Sequence, residues 1–207
     1  MGPSPARAGR TPADLLLFGV TTVELALLFR LTPTFAVVDW IYVCQHLVVL
    51  ALALTRGAPI AQDRSLPVDL AVVVAYAYPY AQVAYLRWIP GTPAWPQAAT
   101  PLVLLAACWS FASLLTLGRA FGVRPALRTL TTTGPYRLVR HPIYLSYVIA
   151  DVGYNLDEWN AGTALLVVAG WAAMVYRIRA EERVLARDEG WPTYRTSVRY
   201  RLLPGLW

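Results

Sequence analysis

The chain has 207 residues, of which 57% are hydrophobic and only 14% charged. A water-soluble protein carries about 25% charged residues, so the composition argues against a soluble globule and for a lipid bilayer as solvent. The length suits one domain, taken as residues 1–207, and the formal net charge of +6, carried by 18 basic residues that are all arginine, by itself points to no substrate.

Residues 1–13, rich in Pro, Gly and Ala, read as a loose tail. A membrane helix needs roughly 20 mostly apolar residues, because each adds about 1.5 Å across a core of about 30 Å. Four runs meet that test, at about 14–31, 36–55, 66–89 and 97–117. The first is interrupted by Glu24 and followed by further runs, so it reads as a retained helix, not a signal peptide. A fifth run, 142–156, gives only about 23 Å of helix. The sixth starts near 161 and stays helical in character to about 189, turning charged near Tyr176. The expected fold is therefore all-α, a polytopic bundle of five to six membrane segments that ends in a helical hairpin.

Arginine placement orients this bundle. With a cytoplasmic N-terminus and alternating segments, 16 arginines fall inside and only Arg30 and Arg87 outside. The positive-inside rule then puts both termini in the cytoplasm, in what reads as a bacterial inner membrane. A hairpin of segments five and six that dips into the bilayer without crossing gives the same sidedness. The loop RWIPGTPAWP suits a rigid turn at the outer aromatic belt. Gly118 and Gly122 form a G-x-x-x-G, a pattern that permits close helix packing. Cys44 and Cys108 lie in apolar runs without metal-ligand spacing, and read as small core residues.

The stretch GPYRLVRHPIYLSYV, residues 134–148, is the most informative. Pro142 suits the first position of a helix, which puts His141 at the cap. The N–H groups of Ile143, Tyr144 and Leu145 then lack helical partners and sit at the positive end of a helix dipole. Arg137 and Arg140 add charge there. This is a site for a carboxylate or other anion, or else a positive-inside anchor with proline starting the helix. Further on, Tyr144, Tyr147, Asp151, Tyr154 and Asn155 follow helical spacing and form one polar stripe. An acid in a membrane segment costs roughly 2.5–3.5 kcal/mol, so the stripe reads as the lining of a cavity.

Segment six ends in RIRAEERVLARDEG. Arg177 and Glu181 are four apart, a spacing common on solvated helix ends, but they lie at the membrane depth expected of His141. Glu24, Asp39, Gln45, His46 and Gln82, polar residues inside the earlier spans, either line a pocket for a lipophilic acceptor or pair with one another. With them, Asp151 and Asn155 form the candidate substrate side.

Together, GPYRLVRHPIYLSYV, a short hydrophobic hairpin, and RIRAEERVLARDEGWPTYR with a late proline resemble the isoprenylcysteine carboxyl methyltransferase (ICMT) family of integral membrane enzymes. Phospholipid N-methyltransferases share a similar R-H-P-x-Y and Glu-Glu arrangement. The resemblance covers Gly134 to Pro204. It implies S-adenosyl-L-methionine held at the cytosolic face by Tyr136, Arg140, His141, Pro142, Ile143 and Tyr144 with Glu181 and Glu182, and a catalytic pair, Arg177 and Glu181. No metal is implied. Tyrosine faces suit a sulfonium, and an acidic side chain suits the ammonium, a role expected of Glu182. The acceptor implied is a lipophilic small molecule or lipid headgroup drawn from the bilayer. The family's Y-x-x-Y is broken here, because Ser197 follows Tyr194. Two rival readings stay open on sequence: a membrane NAD(P)H-dependent reductase with a related helical core, and a non-catalytic transporter or assembly protein.

Overall fold

The computed structural model describes residues 37–205 and Trp207 and, in the first apolar run, residues 18, 19, 21–23, 25, 26, 29 and 30. Glu24 and the side chain of Asp39 lie outside the described residues. The described chain is mostly helical: α1 (Val37–Thr55), α2 (Leu66–Trp88), α3 (Pro96–Leu117), α4 (Pro142–Asp157), α5 (Ala161–Leu185) and the short α6 (Trp191–Ser197), with β1 (Ala61–Gln62), β2 (Ala126–Leu127) and 3-10 turns at Gly118–Ala120 and Gly134–Arg137. Proline opens α2, α3, α4 and α6 within the first two positions, where its missing N–H costs no hydrogen bond. For α5, the Asn160 side chain accepts from Gly162 N–H at 2.8 Å and caps the helix.

Among the described residues three stretches are long and apolar enough to cross a membrane, Leu66–Trp88, Pro96–Ala120 and Ala161–Leu185, with Val43–Thr55 as a shorter apolar helix. α3 packs on α4, α2 on α5, and α1 on α3. At one end the connection after α1 pairs with the one after α3. There β1 and β2 are antiparallel, Ala61 facing Leu127, and Arg128 Nε donates to Gly57 O at 2.8 Å. Burial and nearby Arg56 pull Arg128 down to about 10, still a cation at neutral pH. At the other end the α2–α3 turn holds the α4–α5 turn, through Thr92 bridged to Trp159 and Gly91 N–H on Glu158 Oε1 at 2.9 Å. Short α4 therefore runs between the same two ends of the bundle as its longer neighbours.

Two expectations about small residues change. Gly118 is the C-cap of α3 with φ +51 and open space around it, while Gly122 lies against the Arg128 guanidinium. The G-x-x-x-G thus serves a turn and a side chain, because the helix has already ended there. The close helix approaches fall on Gly153, whose Cβ position is 2.9 Å from Val103, and on Gly170, 2.6 Å from the Tyr78 ring. Cys44 and Cys108 are exposed, not core; an apolar side chain facing lipid carries no cost like that of facing water.

Gly170 lets the Tyr78 ring lie flat on α5. Gly170→Leu is expected to destabilise by about 1–3 kcal/mol through overpacking, read as a lowered unfolding temperature in detergent, whereas Gly57→Ala, with nothing within 4 Å of its Cβ position, leaves that temperature unchanged.

Candidate functional site

The R-H-P segment is set by its flanks. Gly134 has φ +56, and a Cβ there would meet Thr116 Oγ1 at 2.7 Å, so both backbone and space require glycine. The turn it opens buries Tyr136. Arg140 and His141 then pair with the segment that follows α6: Arg140 N–H donates to Tyr200 O and His141 N–H to Arg201 O, both at 2.9 Å. Pro142 starts α4, and Trp109 Nε1 donates to its carbonyl at 3.0 Å, tying this corner to α3. The His141 carbonyl already accepts from Leu145 N–H at 3.1 Å. Of the three N–H groups expected to be open, that one is closed, since it is the first regular i→i−4 bond of the helix.

Glu182, on α5, meets this segment. Its Oε1 accepts from Arg140 Nε at 2.8 Å, and its Oε2 from Arg201 Nε at 2.9 Å. His141 Nε2 stands 3.5 Å from Oε1 in a geometry that makes no hydrogen bond. Arg140 Nη1 also donates to the carbonyls of Val198 and Arg199 at 2.7 and 2.8 Å. Arg201 Cζ lies 4.9 Å from the centre of the Trp207 ring. Arg140, His141 and Glu182 are all buried. Both oxygens of Glu182 are thus engaged by cations of the protein itself, and the carboxylate locks three segments together.

Glu181 differs. Its side chain is 30% exposed, and its Oε2 accepts from Tyr144 OH at 3.2 Å with His141 Nδ1 at 3.8 Å. One turn earlier on α5, Arg177 is buried. Its Nη2 donates to Val123 O at 2.9 Å, its Cζ lies over the rings of Tyr144 and Tyr76 at 5.4 and 5.6 Å, and its Nε has no partner among the described residues. A buried polar group left unpaired costs about 1–3 kcal/mol; Arg177 Nε shares that state with four other described side-chain atoms, the neighbouring His141 Nε2 among them. The structure therefore gathers Tyr136, Arg140, His141, Pro142, Tyr144, Arg177, Glu181 and Glu182 at one end of the bundle.

Beside them opens a small cleft of about 50 Å³, lined by Tyr136, Arg140, Glu181, Leu185 and Tyr194 on one side and by residues of the segment 117–131 on the other. Tyr194 OH donates to Tyr136 O at 2.8 Å. Burial raises the Tyr136 and Tyr194 phenols above their ordinary values, helped by the negative charge of Glu181, so both rings are neutral at physiological pH. Where the family tyrosine would stand, Ser197 is exposed and its hydroxyl donates to Tyr194 O at 2.9 Å.

Sequence reading missed several of these partners. Arg201, Val123 and the cleft wall of 117–131 lie in irregular chain where no periodicity marks them. On the cleft wall Arg124 is paired to Asp69 at 2.7 Å. The residues assigned to a substrate side sit elsewhere: among the described ones, none lines this cleft. Asp151 Oδ2 accepts from Trp171 Nε1 at 2.7 Å and Tyr78 OH at 2.9 Å, and Asn155 Oδ1 accepts from Thr163 Oγ1 at 3.2 Å. These residues join α2, α4 and α5. Gln45 donates to Ala107 O at 2.7 Å, Gln82 is buried, and His46 is half-buried on α1. The expected five-residue stripe also divides. Tyr144 and Asp151 are buried while Tyr147 and Tyr154 are exposed, because at about 100° per residue the latter two lie some 60–80° round the helix from Tyr144.

Residues 99–187 match the sequence profile of the Isoprenylcysteine carboxyl methyltransferase (ICMT) family. The matched stretch runs from α3 through the R-H-P segment to the end of α5 and contains Arg177, Glu181 and Glu182. The resemblance seen in the motifs thus extends upstream of Gly134, and the match supports an ICMT-like membrane methyltransferase. Among curated proteins, none matches the chain.

Proposed function

We propose that the protein transfers a methyl group from S-adenosyl-L-methionine to a lipophilic small molecule or lipid headgroup at the cytosolic membrane face. The observation that carries this reading is the meeting of Tyr136–Tyr144 with Glu181 beside a cleft at the arginine-rich end of the bundle. The fit to the donor is chemical. Glu181 is the one carboxylate of the Glu-Glu pair whose oxygens are not both engaged by arginine, and it lines the cleft, so it takes the donor ammonium. Glu182 keeps Arg140 and His141 in register. Tyr136 and Tyr194 present neutral aromatic walls, which favour a cation. When bound, the donor supplies an electrophilic methyl on a sulfonium; the protein aligns donor and acceptor, which is worth several kcal/mol.

Arg177 is the residue proposed to hold the acceptor, through the Nε proton left without a partner. Tyr144 connects the two halves, with its face toward Arg177 and its hydroxyl on Glu181. The 16-to-2 arginine asymmetry supports a cytosolic site with both termini inside, open to a water-soluble donor and to an acceptor from the bilayer.

Calorimetry with S-adenosylhomocysteine on the detergent-purified protein, followed by transfer of labelled methyl into a membrane lipid extract, tests this. Binding and labelling are expected in the wild type. Glu181→Gln is expected to weaken S-adenosylhomocysteine binding at least tenfold at an unchanged unfolding temperature. A wild type that neither binds nor labels anything overturns the proposal.

A further inference from the structure

Arg177 raises a problem that the matched stretch alone does not solve. A buried guanidinium needs compensation, yet the ion pairs near it go elsewhere: Glu182 is held by Arg140 and Arg201, and Glu181 accepts from Tyr144. The contacts that remain are one carbonyl and two tyrosine faces. One face, Tyr144, comes from the R-H-P-x-Y segment. The other, Tyr76, comes from α2, outside the matched residues 99–187.

We propose that Tyr76 is a positioning residue: its ring, with that of Tyr144, fixes the Arg177 guanidinium so that the unpaired Nε proton stays aimed at the acceptor. This rests on the role given to Arg177 under the proposed function. A cation is attracted to the face of a desolvated ring, and one hydrogen bond to Val123 O leaves the guanidinium free to swing about that bond. The ring of α2 removes that freedom. The α2 helix is itself held to α5 at Gly170, where Tyr78 is seated, so α2 meets α5 at two levels, Tyr78 at Gly170 and Tyr76 at Arg177.

The test compares Tyr76→Phe and Tyr76→Leu in the full chain, in lipid nanodiscs, with labelled-methyl transfer into a lipid extract, S-adenosylhomocysteine calorimetry, unfolding temperature and the arginine side-chain ¹⁵N resonances, that of Arg177 being assigned by its loss in Arg177→Lys. Tyr76→Phe is expected to stay within threefold of wild type. Tyr76→Leu is expected to raise the apparent KM for the extracted acceptor about tenfold or more, to leave donor affinity within twofold, and to shift the Arg177 Nε resonance. Unchanged kinetics and an unchanged resonance in Tyr76→Leu overturn the proposal. So does a parallel loss of unfolding temperature and donor binding, which marks a merely structural ring. If the wild type itself binds no S-adenosylhomocysteine, the methyltransferase reading fails separately, and the Arg177 resonance still decides whether Tyr76 fixes the guanidinium.

Discussion

Glu182→Gln is expected to lower the apparent unfolding temperature of the detergent-solubilised protein by about 10 °C. Removing one partner of a buried ion pair costs about 3–5 kcal/mol, because the other charge is left without compensation. In a chain of this size each 1 kcal/mol corresponds to roughly 2–4 °C. Arg140 has a side chain only 5% exposed and loses its one carboxylate, while Arg201, 25% exposed, falls back on water. The asymmetry yields an ordering that a thermal-shift series checks: Glu182→Gln is the most damaging, and Arg201→Ala costs at most about 1 kcal/mol, since solvent screens its pair. Equal effects from the two would show that Glu182 is not the common anchor.

Arg177→Ala is expected to reduce methyl transfer by about 10²–10³-fold, the usual effect of removing one preorganised donor from a site. Arg177→Lys is expected to recover little of this, because the flat fork that lies over two rings and reaches Val123 O has no equivalent in an ammonium. Donor affinity is expected to stay near wild type, since Arg177 is not among the residues that line the cleft. Single-turnover transfer and S-adenosylhomocysteine calorimetry on the same preparation separate the two effects. A variant that transfers at the wild-type rate removes Arg177 from the reaction.

Much of the helical layout was legible in the sequence because apolar run length and proline position are local signals. The expected start of α4 at 142 agrees with Pro142–Asp157, and the expected ends at 55 and 117 are where α1 and α3 stop. The end of α5 was less legible. Charged residues at helical spacing continue to 189, but the helix closes at Leu185, since a turn held by Asp188 and Gly190 intervenes before α6. At the site, the convergence of the Arg-His-Pro and Glu-Glu segments was readable from order and depth. The different employment of the two glutamates was not. Adjacent on a helix, they point about 100° apart, and which of them meets Arg140 depends on Arg201, which arrives through irregular chain. Nor does periodicity distinguish an acid that faces a cavity from one that receives a tyrosine and a tryptophan, as Asp151 does.

The lock on Arg140 has a consequence for biogenesis. Its contacts reach 58 and 59 positions along the chain, to Val198 and Arg199, and Arg177 reaches back 54 to Val123. During synthesis the Arg140 corner therefore has no early form. Its surroundings are complete only once Val198 and Arg199 have been made and have docked on the earlier helices, so a chain that stops short of them holds no formed site.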